Sequence, residues 1–421
     1  MPLPIVLFEH RQPLLAPLQD LRPQCCIRTG ALTLLERLHA RAKQSHDVHV
    51  AGLACAAEDA ELWKEVSGLA MSAKDFPSDC LCLASHLVLV PDAAFSLQNG
   101  EALEYEGAVI AARTNPSTFV RELAKPVAQQ DFSAKALGLR AAEASTAHPV
   151  RVLTRPWSVR THRDAALAHD LALLSSSQHE GSLQRVDAPA GVTILTTAGG
   201  PGLHAHPWAK IYPGTIFDCE HGAILVDAHA TIRPGAILIG PCYVGPNSTV
   251  LERATIRPGT AIGPWCKVNG EVGGTIFQGF ANKAHDGYVG DSWVGEWCNL
   301  GAGTTTSNLL NTYGETIAKA VPSGKNERTG EVFFGTVFGD HTKTAICTRV
   351  MTASVLQTGS MFATTAAVSG TVPRFSWCTD AGQSTFRLDK FIDVMKTAMG
   401  RRKMQPSQAY IEALHKLFGP T

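Results

Sequence analysis

Neither charge is in surplus: 37 Lys and Arg balance 37 Asp and Glu over 421 residues, which excludes a general electrostatic attraction to nucleic acid or an anionic membrane. No apolar run reaches the length of a membrane-spanning helix. The longest candidate, Leu81 to Val90, is broken by Ser85 and His86. The eleven cysteines contain no Cys-x-x-Cys pair, which excludes zinc ribbons and dithiol redox motifs. Scattered thiols in odd number point to a reducing, cytoplasmic compartment. The N-terminus has no basic segment and no small-residue cleavage site, so it reads as a first strand, Ile5 to Phe8, and not as a signal peptide. No glycine precedes Gly30; the first strand runs into Glu9-His10-Arg11-Gln12-Pro13, without the Gly-rich turn whose amides wrap phosphates.

What the chain does have is a period. An aliphatic residue returns every sixth position from Val226 to Val268: Val226, Ile232, Leu238, Val244, Val250, Ile256, Ile262, Val268. Six fits neither a helix nor an alternating strand, with periods of about 3.6 and 2.0. It is the period of a hexapeptide β-helix, in which each repeat gives one short strand and a turn and three repeats close a triangular coil. The aliphatic residue points inward, and the Gly and Pro of Ile232-Arg-Pro-Gly235 and Ile256-Arg-Pro-Gly259 suit the corners. One coil cannot bury its own aliphatic residues, so stability accumulates along the stack. After Val268 the series restarts two residues late, with Ile276, Tyr288, Val294 and Leu300 in register. An insertion that leaves the prism as a bulge is the expected cause. Polar residues gather in the same region, among them Lys267, Asn269, Glu271, Asn282, Lys283, His285, Asp286 and Asn299, and mark it as the active face.

A composition of 45% hydrophobic and 18% charged residues is that of a globular chain, long enough for two or three cores. Residues 1–190 alternate strand-like runs (Ile5–Phe8, Leu87–Val90) with helical spacing (Gly30–Leu38, His162–Leu174), an α/β pattern. A Gly-, Ala-, Pro- and Thr-rich stretch, 187–202, separates them from a β-helix over 200–372. Within it, Asn311 to Glu331 is too polar and off-period for prism wall and is expected to be extruded from one corner. A helical tail, 373–421, follows: Leu388, Phe391, Ile392, Met395 and Met399 share one helical face, and Pro406 precedes a second helix with Tyr410, Leu414, Leu417 and Phe418.

The densest motif is Asn282-Lys-Ala-His-Asp-Gly-Tyr-Val-Gly-Asp291, followed by Asn299-Leu-Gly-Ala-Gly-Thr304 and Thr306-Ser-Asn308. It resembles the acetyltransferase domain of the bifunctional N-acetylglucosamine-1-phosphate uridylyltransferase/glucosamine-1-phosphate N-acetyltransferase family. Lys267-Val-Asn-Gly-Glu-Val-Gly-Gly274 and Asn311-Thr-Tyr-Gly314 point to a variant branch of sugar nucleotidyltransferases within it. The resemblance covers about 204–362 well and the N-terminal part less well, where Arg22-Pro23 and Arg28-Thr-Gly-Ala-Leu-Thr-Leu-Leu-Glu36 look like that branch's signature.

This resemblance implies an α/β nucleotidyltransferase-like domain joined to a left-handed parallel β-helix, an exception to the right-handed crossover rule, and a homotrimer. It implies a transferase of nucleotide-sugar biosynthesis that moves an acyl group from acetyl-CoA, as co-substrate, to an amino-sugar phosphate. His285 corresponds to the catalytic base, Tyr288 and Asn299 to residues holding the sugar phosphate, and Ala302 and Asn308 to positions near acetyl-CoA. The chemistry agrees: acyl transfer to an amine needs a proton acceptor active near pH 7, oriented by Asp286 or a backbone carbonyl. Gly301 and Gly303 let the pantetheine arm approach backbone amides that stabilise an oxyanion.

The family's lysine twelve residues before the His is here Gly273, so the phosphate partner falls to Lys267, Lys283, Arg257 or Lys343, and in the N-terminal domain to Arg22 and Arg28. No resident metal is expected; Mg2+ enters only if the N-terminal domain transfers nucleotides from a nucleoside triphosphate, and Asp92 is either its ligand or a turn former. Four alternatives stand beside this reading. They are sugar-1-phosphate nucleotidyl transfer, a nucleotide-sugar sensor on a non-catalytic trimeric scaffold, positive-φ corner roles for Asn299, Asn308 and His341, and a prism metal enzyme. The last needs three convergent histidines that the spacing does not supply. Trp265, Phe280, Trp293 and Trp297 are expected on the outer faces, as aromatic surface for a trimer contact.

Overall fold

The computed structural model describes residues 2–10, 13–142, 149–176 and 182–419. They form two compact units, one of Met1–Pro13, Leu21–Ile27 and Leu32–Thr154, the other of Leu14–Asp20, Arg28–Ala31 and Arg155–Thr421. The division falls at Thr154, earlier than the expected 190.

The first unit is built on a six-stranded sheet in the order Val48–Ala54, Leu3–Phe8, Cys80–Ala84, Ala108–Thr114, Glu101–Tyr105, Arg140–Ala141. Leu3–Phe8 lies between two parallel neighbours, and Ile5 to Phe8 are buried, as an apolar run in a central parallel strand requires. Helix α1 (Leu34–Ser45) opens with a capping box: the Glu36 amide donates to Thr33 Oγ1 at 3.1 Å and the Thr33 amide to Glu36 Oε2 at 2.7 Å. Helices α2 (Ala60–Ser67) and α3 (Ser117–Leu123) complete the unit.

From Arg155 onward the second unit carries α4 (Ser158–Ser175) and continues as a parallel β-helix of three faces. In chain order through a coil the first face carries strands such as Cys242–Val244, the second Thr249–Val250 and the third Thr255–Ile256, each pairing in parallel with its counterpart in the next coil. All eight residues of the six-residue series are fully buried, so the repeat is the prism wall. Asn311–Glu331 leaves this wall as expected and holds a small hairpin, Ile317–Ala318 against Glu327–Arg328.

The phase slip has a different cause from the expected insertion. In the preceding coil four residues, 251–254, turn the corner between the second and third faces, but only Asn269 and Gly270 do so between Lys267–Val268 and Glu271–Gly273. The corner is shortened, and Val272, Phe277, Val289, Val294 and Leu300 join the interior. Strand alternation therefore turns Ile276 and Tyr288 outward. Tyr288 thus stands on the outer surface beside His285.

The corner between the first and second faces needs left-handed backbone at each level. Asn247, Trp265, Phe280, Trp297 and His341 adopt it, with φ of 59°, 59°, 53°, 60° and 61°, a conformation uncommon for bulky residues. Asn299 and Asn308 do not, which removes the corner explanation for them and leaves it for His341. Repetition of the corner stacks the rings: Phe280 lies 4.6 Å from Trp297 at 14°, and Trp297 6.5 Å from His341 at 10°. Helices α5 (Leu388–Gly400) and α6 (Gln408–Phe418) belong to the same unit. Phe391 meets the His341 ring edge-on at 5.6 Å, and Tyr410 Oη shares a 2.7 Å hydrogen bond with His341 Nε2.

The chain's own residues thus cover rings expected to be exposed. Trp297 and Trp293 are buried, the latter donating from its indole to the Arg28 carbonyl, and Trp265 alone of the four is largely exposed, at 42%. The aromatic argument for a trimer contact does not hold. Tyr410→Phe is expected to lower unfolding free energy by about 1 kcal/mol, the net value of one buried hydrogen bond, as measured by urea denaturation.

Candidate active site

His285 sits at the four-residue corner, 284–287, that follows the second-face strand Asn282–Lys283 and is exposed. The next coil stacks Ala302 and Gly303 on this corner, with the Gly303 amide 3.3 Å from the Asp286 carbonyl. Gly287 is required here: its φ is 105°, and a Cβ would lie 2.2 Å from the Thr304 carbonyl oxygen. Gly301 has the same constraint from the coil beyond, where a Cβ would come within 2.5 Å of the Ala345 carbonyl. The imidazole has no hydrogen-bond partner among the described residues, Asp286 included, so the expected carboxylate orienter is not in place.

Lys283, one of the candidate phosphate partners, does not reach the surface. It occupies an inward position of the prism and is fully buried. Its ammonium donates to the carbonyls of Asn269 at 3.2 Å, His285 at 2.5 Å and Asp286 at 2.7 Å. A buried charge must be met by such partners. Burial still pushes its pKa down to about 8, against the opposing influence of Asp286. Lys283 ties the His285 corner to the corner of the preceding coil.

On the third face Asn308 Nδ2 donates to Tyr288 Oη at 3.1 Å and to Asp291 Oδ2 at 2.7 Å. Asp291 Oδ1 in turn pairs with Arg163 at 2.7 Å and Arg160 at 3.1 Å, both from α4. Burial, followed by Asp291 and Glu271, raises the Tyr288 pKa, which keeps the phenol a neutral donor. The residue in register beside Tyr288 is Glu271, ion-paired with Arg257. The third-face ladder therefore presents the Arg257–Glu271 ion pair beside Tyr288.

Lys267 and Asn299 lie elsewhere, on the second face. With Asn282 and Lys343 they form one outward ladder across four coils. This ladder floors a cavity of about 740 Å3, roofed by Val394, Thr397 and Ala398 of α5. Arg402 closes one side, donating to the Trp265 carbonyl at 2.5 Å and to Asn282 Oδ1 at 3.0 Å.

Neither arginine of the N-terminal signature presents itself as a phosphate ligand. Arg22 is buried in the first unit. Arg28, in the second, is also buried; it donates from Nε to the Gln278 carbonyl at 3.2 Å and from Nη1 to the Ala31 carbonyl. In the first unit the Glu9 carboxylate that follows the first strand accepts from the Gln24 amide at 2.7 Å and the Trp63 indole at 3.3 Å. His86, after the neighbouring parallel strand, is buried, and its pKa is pushed down to about 3 by that burial. Arg11 and Gln12 of the expected glycine-free turn lie outside the described residues. Asp92 opens a 3-10 turn, Asp92–Ser96, and no group of His, Cys, Asp and Glu among the described residues is placed to hold a metal.

Fold and site together define a hexapeptide-type β-helix joined to an α/β unit, with His285, Tyr288 and Asn308 carried by the β-helix. Residues 5–179 match the model of a family described as sugar nucleotidyl transferase, a span that crosses the division at Thr154 and includes α4. The chain is 36% identical over 102 residues to the bifunctional protein GlmU of Jannaschia sp. strain CCS1, covering 24% of this chain and 22% of that one. It is 29% identical over 201 residues to GlmU of Corynebacterium glutamicum strain R, covering 42% and 40%. It thus spans less than half the length of these relatives. An Arabidopsis UDP-N-acetylglucosamine acyltransferase structure is 12% identical over 54% of this chain and 88% of that chain, with a TM-score of 0.25, too low to bear on fold or function. The chain resembles the bifunctional GlmU proteins, as its motifs imply.

Proposed function

We propose that this chain is a transferase of nucleotide-sugar biosynthesis that moves an acetyl group from acetyl-CoA to the amine of an amino-sugar phosphate, with His285 as general base. The observation that carries this reading is the stacked corner: an exposed His285 directly beside the Ala302-Gly303 backbone, with the Tyr288–Asn308 pair beginning the adjoining face. A base for the amine, amides for the thioester oxygen and polar groups for a sugar are the parts this reaction needs. Gly301, Ala302, Gly303 and Asn308 would line the path of the pantetheine. Tyr288 would orient the sugar, and Lys267 and Asn299 the phosphate.

The test is thiol release from acetyl-CoA by the full chain with a panel of amino-sugar phosphates. Release dependent on one of them supports the reading, and no release with any acceptor at millimolar concentration overturns it. The trimer implied by the resemblance belongs to the same proposal. Light scattering at micromolar concentration is expected to give three times the chain mass; a monomer would rule out an acetyl site shared between copies. Eleven free thiols favour a reducing compartment.

A second reading, Mg2+-dependent nucleotidyl transfer by the first unit, is favoured by the family match over residues 5–179. The glycine-free turn at Glu9 and the buried state of Arg22 speak against it. Pyrophosphate release from nucleoside triphosphates and sugar-1-phosphates, measured with the full chain, decides it, because fragments cut near 190 would lose Leu14–Asp20 and Arg28–Ala31 from the unit they belong to.

A further inference from the structure

The Tyr288–Asn308 pair is the end of a longer chain of contacts that begins on α4. Arg160 and Arg163, three residues apart and so on one side of the helix, both engage the same carboxylate oxygen, Asp291 Oδ1. Arg163 donates to it from Nη1 at 2.7 Å, and Arg160 Nε lies 3.1 Å away as an ion pair off hydrogen-bond alignment. Arg163 is fixed in turn by the Gly274 carbonyl at 2.6 Å, and Arg160 by Glu331 at 3.3 Å. The arginines thus leave Asp291 Oδ2 for Asn308.

An ionised carboxylate accepts and does not donate, so Asn308 turns its amino group toward Oδ2. The same Nδ2 carries a second hydrogen and gives it to Tyr288 Oη. An oxygen that accepts here keeps its own proton for another partner, and none of the described residues takes that proton. Gly290 completes the arrangement. A Cβ there would lie 2.1 Å from Tyr288 Oη, so glycine leaves the phenol its place along the third face.

We propose that Asp291, anchored by Arg160 and Arg163, is a positioning residue that fixes the polarity of the Asn308 amide and so makes the Tyr288 hydroxyl a hydrogen-bond donor to an oxygen of the acyl acceptor. The identity of that acceptor rests on the acyl-transfer reading; the relay does not. A donor at this point favours the oxygen-rich end of an amino-sugar phosphate over its ammonium, which has donors only. The amine is thereby left for His285. Reversal of the relay takes one substitution. In Asp291→Asn the new amide oxygen stays with the arginines, its amino group faces Asn308, and the Asn308 amide turns over. The Asn308 oxygen then accepts the Tyr288 proton, and the donor is spent inside the protein.

Two measurements on the full chain test this, and the first needs no substrate. The side-chain amide protons of Asn308, assigned in nuclear magnetic resonance spectra by their loss in Asn308→Asp, are expected to exchange slowly with solvent in the unaltered protein, where both are bonded. In Asp291→Asn they should exchange at least about tenfold faster. Equal exchange in the two proteins would overturn the relay. The second measurement is the KM of the amino-sugar phosphate that supports thiol release. Tyr288→Phe and Asp291→Asn should each raise it about tenfold, the loss of one hydrogen bond, with kcat within about twofold. The double variant should be no worse than either alone, because both changes remove the same donor. A double variant impaired about a hundredfold would mean that Asp291 does not act through Tyr288, and the proposal would fall. Asp291 has a φ of 45°, a conformation that Asn also adopts, so the fold should survive the substitution. Gly290→Ala, which displaces the phenol and leaves every charge in place, should give the same rise in KM by a second route. Slow exchange without thiol release from any acceptor would uphold the relay and sink the acyl-transfer reading alone, so the two failures are separately visible.

Discussion

Replacement of His285 by alanine is expected to lower acetyl-CoA-dependent turnover by about two to four powers of ten, the usual contribution of a positioned general base. The side chain is exposed and makes no hydrogen bond among the described residues, so its removal should leave the fold intact. Circular dichroism and the urea midpoint are therefore expected to match those of the unaltered protein. The loss should fall on kcat, because the proton is taken in the transition state and not in substrate binding. Binding of acetyl-CoA should be retained. Unchanged turnover in a folded His285→Ala protein would take the imidazole out of the reaction and leave the motif a structural corner. Because a carboxamide cannot take up a proton near neutral pH, His285→Gln is expected to be as inactive as His285→Ala; a substantially active glutamine variant would mean that hydrogen bonding at this corner, and not proton abstraction, is what matters.

The parts of this arrangement that sequence exposes are those set by local repetition. Eight aliphatic residues at a spacing of six can be buried together only by a prism, so Val226 to Val268 announce the fold without reference to any other part of the chain. The stacking of this corner is legible for the same reason: His285, Gly287 and the Gly301-Ala302-Gly303 run lie within one coil of each other.

Register is not fixed by the repeat alone. A shortened corner and an inserted one both shift a period of six, and only the strand pairing of Lys267–Val268 and Glu271–Gly273 tells them apart. That ambiguity put Tyr288 among inward candidates when it stands outside. Nor does the repeat reveal long-range partners. Arg163 and Arg160 reach Asp291 from a helix more than a hundred residues upstream, and Arg402 reaches Asn282 from the far end of the chain; nothing in their local sequence marks them. Lysine identity misled as well. Lys267 and Lys283 look equivalent in sequence, but strand alternation sends Lys267 out to the cavity and Lys283 into the interior.

That interior lysine carries the second large effect. Lys283→Met is expected to lower the unfolding free energy by about 2–3 kcal/mol near pH 7. Methionine fills the inward position with apolar volume and relieves the burial of a charge, which alone would stabilise. Against this, the carbonyls of Asn269, His285 and Asp286 lose their common donor. Asp286 keeps the Gly303 amide, so the two part-buried acceptors, of Asn269 and His285, bear most of the loss, at roughly 1 kcal/mol each, and the lost packing of the inward ammonium supplies the rest.

The pH dependence separates this account from a simple packing defect. The Lys283 pKa is about 8 in the folded protein and returns to its ordinary value, about 10.4, on unfolding. Between these two the unfolded chain binds a proton that the folded one has released, so stability rises with pH across that window. The contribution is fully present above the unfolded pKa and is lost as pH falls through about 8. Methionine cannot titrate, and other groups contribute equally to both proteins, so the stability gap between unaltered protein and variant should widen from pH 8 to pH 10. Urea denaturation at three pH values across that range measures it. A gap that stays constant or narrows would mean that Lys283 is not a buried ammonium bound to these carbonyls, and the His285 corner would have to be held by its glycine turns alone.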